Sequence, residues 1–228
     1  MMLLAIDTAS LFCSAAVIDN GSILSSTMEK ADKGSSTPLS TVVEYVIQKA
    51  DIDLSNLEGI GISIGPGSLT GLRVGLAFAK GLCTAYSLKI AAVPTLTAAA
   101  RTVKEEGVII QPVIRAKKGY LHTALYKMKS DRYVELESHK IIPESSLGSV
   151  ISERTILVGD SHKSKDAQPL ADLYETLDEG KSAPIAEGVA EIGEMMLSND
   201  EVSELANLEP DYKMQFKALK WNQEQISV

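Results

Sequence analysis

From Gly59 to Gly75 the chain reads Gly-Ile-Gly-Ile-Ser-Ile-Gly-Pro-Gly-Ser-Leu-Thr-Gly-Leu-Arg-Val-Gly. An apolar run stops at a Gly-Pro-Gly turn and resumes at helical spacing up to about Tyr86. Strand, tight loop and helix must therefore follow one another directly. Proline fixes φ at its position, while glycine permits positive φ and close backbone approach. A loop of this kind aims free N–H groups at whatever lies above the helix N-terminus, where a phosphate or carboxylate can sit. The same residues also suit a plain strand-to-helix turn capped by Ser68 or Thr70. The loop is neither GxGxxG nor GxxxxGKS, so dinucleotide and P-loop chemistry gain no support.

Upstream, Leu3 to Ile6 is a short apolar run ending at Asp7, which reads as a buried strand. A second run, Cys13 to Ile18, leads into Asn20-Gly21, a strong hairpin signal. With Ser22 to Met28 as a third strand, the chain opens as a meander. Lys30 to Thr37 reads as a loop leading to a helix start near Thr37 and Pro38, because proline suits the first helical turn. Leu39, Val42, Val43, Val46, Ile47 and Ala50 then recur at helical spacing. Ile90 to Val93 reads as a fifth strand and Thr95 to Lys104 as a third helix. In the second half, strands are expected at Val108–Ile114, Tyr120–Met128, Tyr133–Ile141 and Thr155–Gly159, and a helix at Glu187–Leu197. Asp160 to Ser182 is turn-rich and yields no assignment. Both halves share an order of three strands followed by helices and short strands.

Composition narrows the class. With 228 residues, 45% hydrophobic and 23% charged, the chain has a globular balance and enough length to bury a core without staples. Two isolated cysteines, Cys13 and Cys83, form no CxxC and suit a reducing compartment. The net charge of −8 argues against a stand-alone nucleic-acid binder. No apolar stretch is long enough to span a membrane, and Met1 to Asp7 lacks the features of a signal peptide. A cytoplasmic location is expected.

Candidate chemistry is sparse. Asp7 ends a buried strand, where a carboxylate needs either a function or backbone N–H partners. His122, His139 and His162 match no metal-binding spacing, so no metal or other cofactor is expected. Gly61-Ile62-Ser63-Ile64-Gly65 fits the nucleophile-elbow pattern GxSxG, but Ser63 lies inside the apolar run and the sharp turn comes only at Pro66. Gly71, Gly75, Ala79 and Cys83 form a row of small residues on the second helix. Such a row admits another backbone, either from the same lobe or from a partner. The tail carries Tyr212, Phe216, Leu219 and Trp221 among Lys213, Lys217 and Lys220. That pattern fits either a docked or mobile end, or base stacking with phosphate contacts.

Ala5-Ile6-Asp7-Thr8-Ala9-Ser10, Cys13-Ser14 and Gly65-Pro66-Gly67-Ser68-Leu69-Thr70-Gly71-Leu72-Arg73-Val74-Gly75 closely resemble the TsaB (YeaZ) family. Its members are subunits of the bacterial machinery that makes threonylcarbamoyladenosine in tRNA. Over the second half only Gly119-Tyr120 and Pro210-Asp211-Tyr212-Lys213 echo the family. The resemblance implies a two-lobed α/β fold of the actin, heat-shock-chaperone and sugar-kinase (ASKHA) class. We place the lobes at residues 1–105 and 106–228. Asp7, Thr8, Ser10, Gly65, Gly67, Ser68 and Thr70 would form a degenerate phosphate loop. The family pairs through helices of the first lobe, which implies a partner interface at Gly71, Leu72, Gly75, Ala79 and Cys83. The implied role is non-catalytic support of a TsaD-type transferase, joined by a TsaE-type ATPase, with a homodimer in isolation and tRNA met only through the complex. Leu69 stands where relatives carry Phe, Arg115 where they carry Asp, and Gly34-Ser35-Ser36 where a His is common. The alternative reading is an ASKHA-type small-molecule kinase or ATPase acting alone.

Overall fold

The computed structural model describes residues 1–30, 39–130, 132–147, 153–160, 174–176 (backbone only) and 183–212. Lys30, expected to open a loop, ends a strand instead; the rest of that loop and the helix start at 31–38, His162, most of the turn-rich segment and the aromatic–lysine tail beyond Tyr212 lie outside the described residues.

Two five-stranded sheets carry the fold. The first orders its strands β3-β2-β1-β4-β5: β1 (Met2–Asp7), β2 (Phe12–Asp19), β3 (Ser22–Lys30), β4 (Gly59–Gly65) and β5 (Lys89–Pro94). The second is ordered β10-β9-β6-β7-β8: β6 (Ile109–Arg115), β7 (Tyr120–Lys129), β8 (Arg132–Pro143), β9 (Thr155–Gly159) and β10 (Tyr174–Thr176). In each sheet an antiparallel meander is extended by two parallel strands. The two halves thus repeat one topology without a visible sequence repeat. Asn20 and Gly21 turn the first hairpin with φ of 47° and 79°, the double positive φ that type I′ geometry requires.

Both faces of the first sheet are covered, which explains why its central strands are apolar without alternation. Leu4 and Ile6 of β1 point to one face, with Val17, Ile60 and Ile62. That face packs on α1 (Leu39–Lys49) and α2 (Leu69–Tyr86). Leu3 and Ala5 point the other way, into a core shared with α3 (Thr95–Arg101), α4 (Ile185–Ser198) and the second sheet. The third helix is shorter than its expected extent to Lys104. The Tyr133 hydroxyl donates to the Val103 carbonyl at 2.7 Å, fixing the chain just beyond the helix end.

Helix α4 comes from the second half of the chain but packs on β1, β2, β4 and β5 of the first sheet. Glycines make this possible. A Cβ on Gly61 would meet Val189 at 3.2 Å, and one on Gly188 would collide with the Ala98 backbone. Polar ties hold the helix there: the Ser26 hydroxyl donates to Glu187 at 2.5 Å, and the Gly21 amide donates to Glu194 at 2.9 Å.

The small-residue row of α2 corrects the interface expectation. Ala79 is 0% exposed, and Leu72, Gly75 and Cys83 are also buried. Gly71 and Gly75 face Thr8, so closely that a Cβ on either would collide with it. The row is therefore where the hairpin after β1 and the first core meet α2 within the same chain. Apart from the half-buried Gly71, it leaves no surface for a partner. Both cysteines are free and buried. Burial first, then the charges of Asp7 and Glu29, push the Cys13 thiol up to about 12. Burial pushes the Cys83 thiol up to about 11.

No helix among the described residues is long and apolar enough to cross a membrane.

Candidate functional site

The hairpin after β1 and the glycine loop after β4 meet at the parallel ends of adjacent strands. The Ala9 carbonyl accepts from the Ser68 amide at 2.8 Å. Gly67 lies so close to Ala9 that any Cβ there would overlap it. Ser68, and not Thr70, is the cap of α2, accepting from the Gly71 amide at 3.2 Å. The Thr8 hydroxyl donates to the Gly71 carbonyl at 2.7 Å. Gly65 has φ 126°, and the Asp211 carbonyl oxygen lies 2.6 Å from where its Cβ would be. This close approach explains the glycine.

Asp7 is fully buried at the base of this junction. Oδ1 accepts from the Ser63 hydroxyl at 2.5 Å and from the Ala9 amide at 3.2 Å, while Oδ2 accepts from Ser10 at 3.4 Å. Ser63 is thus a partner of this carboxylate and no exposed nucleophile. Burial raises the Asp7 carboxyl to about 6, against the lowering effect of its hydrogen bonds, and the nearby Asp160 charge adds to the rise. A carboxyl raised on folding favours the native state below the unfolded value and loses that advantage as pH rises through the folded one. Asp7→Asn removes the ionisation. Its stability relative to the parent is expected to grow from near zero at pH 4 to about 3 kcal/mol at pH 7. Urea midpoints across that range check this, and a difference that does not change with pH would refute it.

Above the junction lies a cleft of 430 Å³. Ser10, Gly67 and Ser68 line it from the first half of the chain, and Arg115, Lys117 and His122 from the second. Asp160 joins the two sides. Its Oδ1 accepts from the Leu11 amide and its Oδ2 from the Arg115 amide, both at 2.9 Å. Asp211 and Tyr212 close one rim. The Asp211 amide donates to Ile64 at 2.7 Å, and Arg73 Nε donates to the Tyr212 hydroxyl at 2.9 Å. His122 is 4% exposed, and its Nδ1 is paired with His139 Nε2 at 2.9 Å. Burial and the neighbouring His139 lower its pKa to about 4, so it is neutral at pH 7.

Of the expected loop residues, Ser10, Gly67 and Ser68 reach the cleft wall, Asp7 and Thr8 lie beneath it, Gly65 is covered by Asp211, and Thr70 is exposed on the helix. Sequence reasoning missed Lys117, His122, Asp160 and Asp211 as cleft residues. Asp160 did carry a usable signal. It ends the apolar run Thr155–Gly159 as Asp7 ends β1. Among the described residues no group of three or more His, Cys, Asp and Glu is placed to hold a metal.

Residues 26–154 match the family described as TsaD, tRNA N6-adenosine threonylcarbamoyltransferase. The chain belongs to this family. Within it, the chain resembles the TsaB (YeaZ) proteins. It is 28% identical over 130 residues to the tRNA threonylcarbamoyladenosine biosynthesis protein TsaB of Bacillus subtilis, a stretch covering 57% of each chain. It is also 28% identical over 129 residues to the TsaB of Escherichia coli K12, covering 56% of this chain and 55% of that one. The matches thus span little more than half the length of these two curated relatives. The solved YeaZ structure from Pseudomonas aeruginosa superposes with a TM-score of 0.71 at 22% identity, covering 92% of this chain and 99% of that one. The chain therefore has the ASKHA-type α/β fold that the family resemblance implied.

Proposed function

We propose that the chain is the TsaB-type, non-catalytic subunit of a tRNA threonylcarbamoyladenosine modification complex, acting in the cytoplasm. In this reading it binds and supports a TsaD-type threonylcarbamoyl transferase. A TsaE-type ATPase joins the pair, tRNA is met only through the assembly, and the isolated chain forms a homodimer. The carrying observation is the state of Asp7. Its oxygens accept from Ser63, Ala9 and Ser10 beneath the cleft floor. The acid that opens the phosphate loop thus holds the hairpin together. Asp7, Thr8, Ser10, Gly65, Gly67, Ser68 and Thr70 form a degenerate phosphate loop whose work is to lock hairpin, loop and helix. The division into lobes 1–105 and 106–228 belongs to the same proposal.

The partner surface moves to the outward side of α1 and α2. A groove of 380 Å³ runs between them, lined by Val43, Ile47, Phe78, Leu82 and Tyr86. Val74 on the same outward side of α2 is 40% exposed. Apolar side chains gathered at one groove suit a protein partner better than a small polar substrate. Reconstitution of tRNA modification with and without this chain tests the proposal.

A further inference from the structure

The cleft between the two sheets carries features that the supporting role leaves unused. Arg115, at the end of β6, lines it with its side chain unpaired among the described residues. Lys117 lines it two residues on, with Nζ 4.7 Å from the Tyr120 ring centroid. His122 lines it almost fully buried; Nδ1 is taken by His139, and Nε2 has no partner among the described residues. On the opposite wall, the first turn of α2 presents the Leu69 amide, which has no helical acceptor.

We propose that this cleft binds a small organic anion, a carboxylate or phosphate on an apolar body, without a divalent cation. Arg115, Lys117 and the first turn of α2 line one volume, and a guanidinium, an ammonium and helix N-terminal amides are donors that suit an anionic head group. The walls between them are apolar, contributed by Leu11, Pro66 and Leu72. A volume of 430 Å³ falls within the ordinary range for small-molecule sites. Two acids also line the cleft, so recognition rests on the placement of the donors and not on net charge. Asp160 has both oxygens on backbone amides of Leu11 and Arg115. Asp211 is held at the rim through its own amide. Asp7, the acid at the floor, is sealed by its hydroxyl and amide donors and turns no free oxygen to a metal ion. Among the described residues lining the cleft, the neutral His122 supplies the one imidazole nitrogen able to sort ligands by hydrogen bonding instead of charge.

Calorimetric titration of the full chain in EDTA, with phenyl phosphate, phenylacetate and inorganic phosphate in turn, tests this. One of the two phenyl compounds should bind with Kd below about 1 mM. Tighter binding by phenyl phosphate names phosphate as the head group, and tighter binding by phenylacetate names carboxylate. Either supports the site. Inorganic phosphate should bind more weakly than the better phenyl compound, because it leaves the apolar walls uncovered. Arg115→Ala should weaken binding at least about tenfold while its ligand-free melting curve matches the parent's, since the side chain is exposed. The proposal is overturned if neither phenyl compound binds with a Kd below about 1 mM, if inorganic phosphate binds as tightly as the better of them, or if Arg115→Ala binds as the parent does. It is equally overturned if, in a parallel titration with magnesium in place of EDTA, ATP binds and neither phenyl compound does.

Discussion

Ala79→Arg is expected to unfold the protein, not to split an assembly of folded chains. Ala79 has no exposed surface and sits between α2 and the first sheet, among Ile60, Ile62 and Leu76. An arginine there adds a long side chain to a filled core, and overpacking alone costs about 1–3 kcal/mol. Its guanidinium would also lie away from water without a counter-charge, at a cost of several kcal/mol more. Together these approach the total stability of an ordinary domain, about 5–15 kcal/mol. The variant should be recovered insoluble or without a cooperative melt. A soluble monomer with a parent-like melting temperature would show that the small-residue row faces outward after all.

Gly188→Val is expected to have a comparable effect by a different route. Gly188 lets α4 rest on α3 where a Cβ would collide with the Ala98 carbonyl oxygen, with the Ala98 carbonyl carbon at 2.7 Å and its Cα at 3.1 Å. Backbone cannot turn aside as a side chain can, so the helix must lift. Lifting it uncovers Val189, Ala190 and Leu197, which pack on the first sheet. At about 1.5–3 kcal/mol for each large apolar side chain uncovered, Val189 and Leu197 together imply a loss of about 3–6 kcal/mol. Urea unfolding reads it as a fall in midpoint. Gly81→Val on the outward side of α2, where a Cβ would meet nothing within 4 Å, serves as the control. It should be neutral or gain a few tenths of a kcal/mol, at about the difference in helix propensity between glycine and valine. Equal losses at both positions would contradict the close packing of α4 on α3.

The local elements were legible because their signals are local. Asn20-Gly21 announced its hairpin, the Gly-Pro-Gly turn its strand-to-helix junction, and the spacing from Leu39 to Ala50 its helix. What covers each element was not legible. The row Gly71, Gly75, Ala79, Cys83 shows from sequence that something approaches α2 closely. That the visitor is the Thr8 hairpin, 63 residues away from Gly71, is a property of the tertiary structure. The placement of α4 on the first sheet is hidden for the same reason. Gly59 and Gly61 look like strand glycines and say nothing of Leu197 and Val189 above them. The cleft is assembled from the β1 hairpin, the glycine loop, the β6–β7 turn, the end of β9 and the pair Asp211-Tyr212. No periodicity links those five places. The sealed state of Asp7 likewise depends on Ser63 from a neighbouring strand, brought alongside by the parallel register Ile6↔Ile62.

The supporting role is tested most directly by omission from a reconstituted tRNA modification reaction. The reaction contains a TsaD-type transferase, a TsaE-type ATPase, a threonylcarbamoyl donor, ATP and unmodified tRNA, and threonylcarbamoyladenosine is counted in the digested product. Leaving out this chain should abolish turnover, adding it should restore turnover, and the chain with tRNA and donor alone should yield none. Full turnover without the chain, or modified tRNA from the chain acting alone, would contradict the proposal that it is a non-catalytic subunit on which the transferase depends.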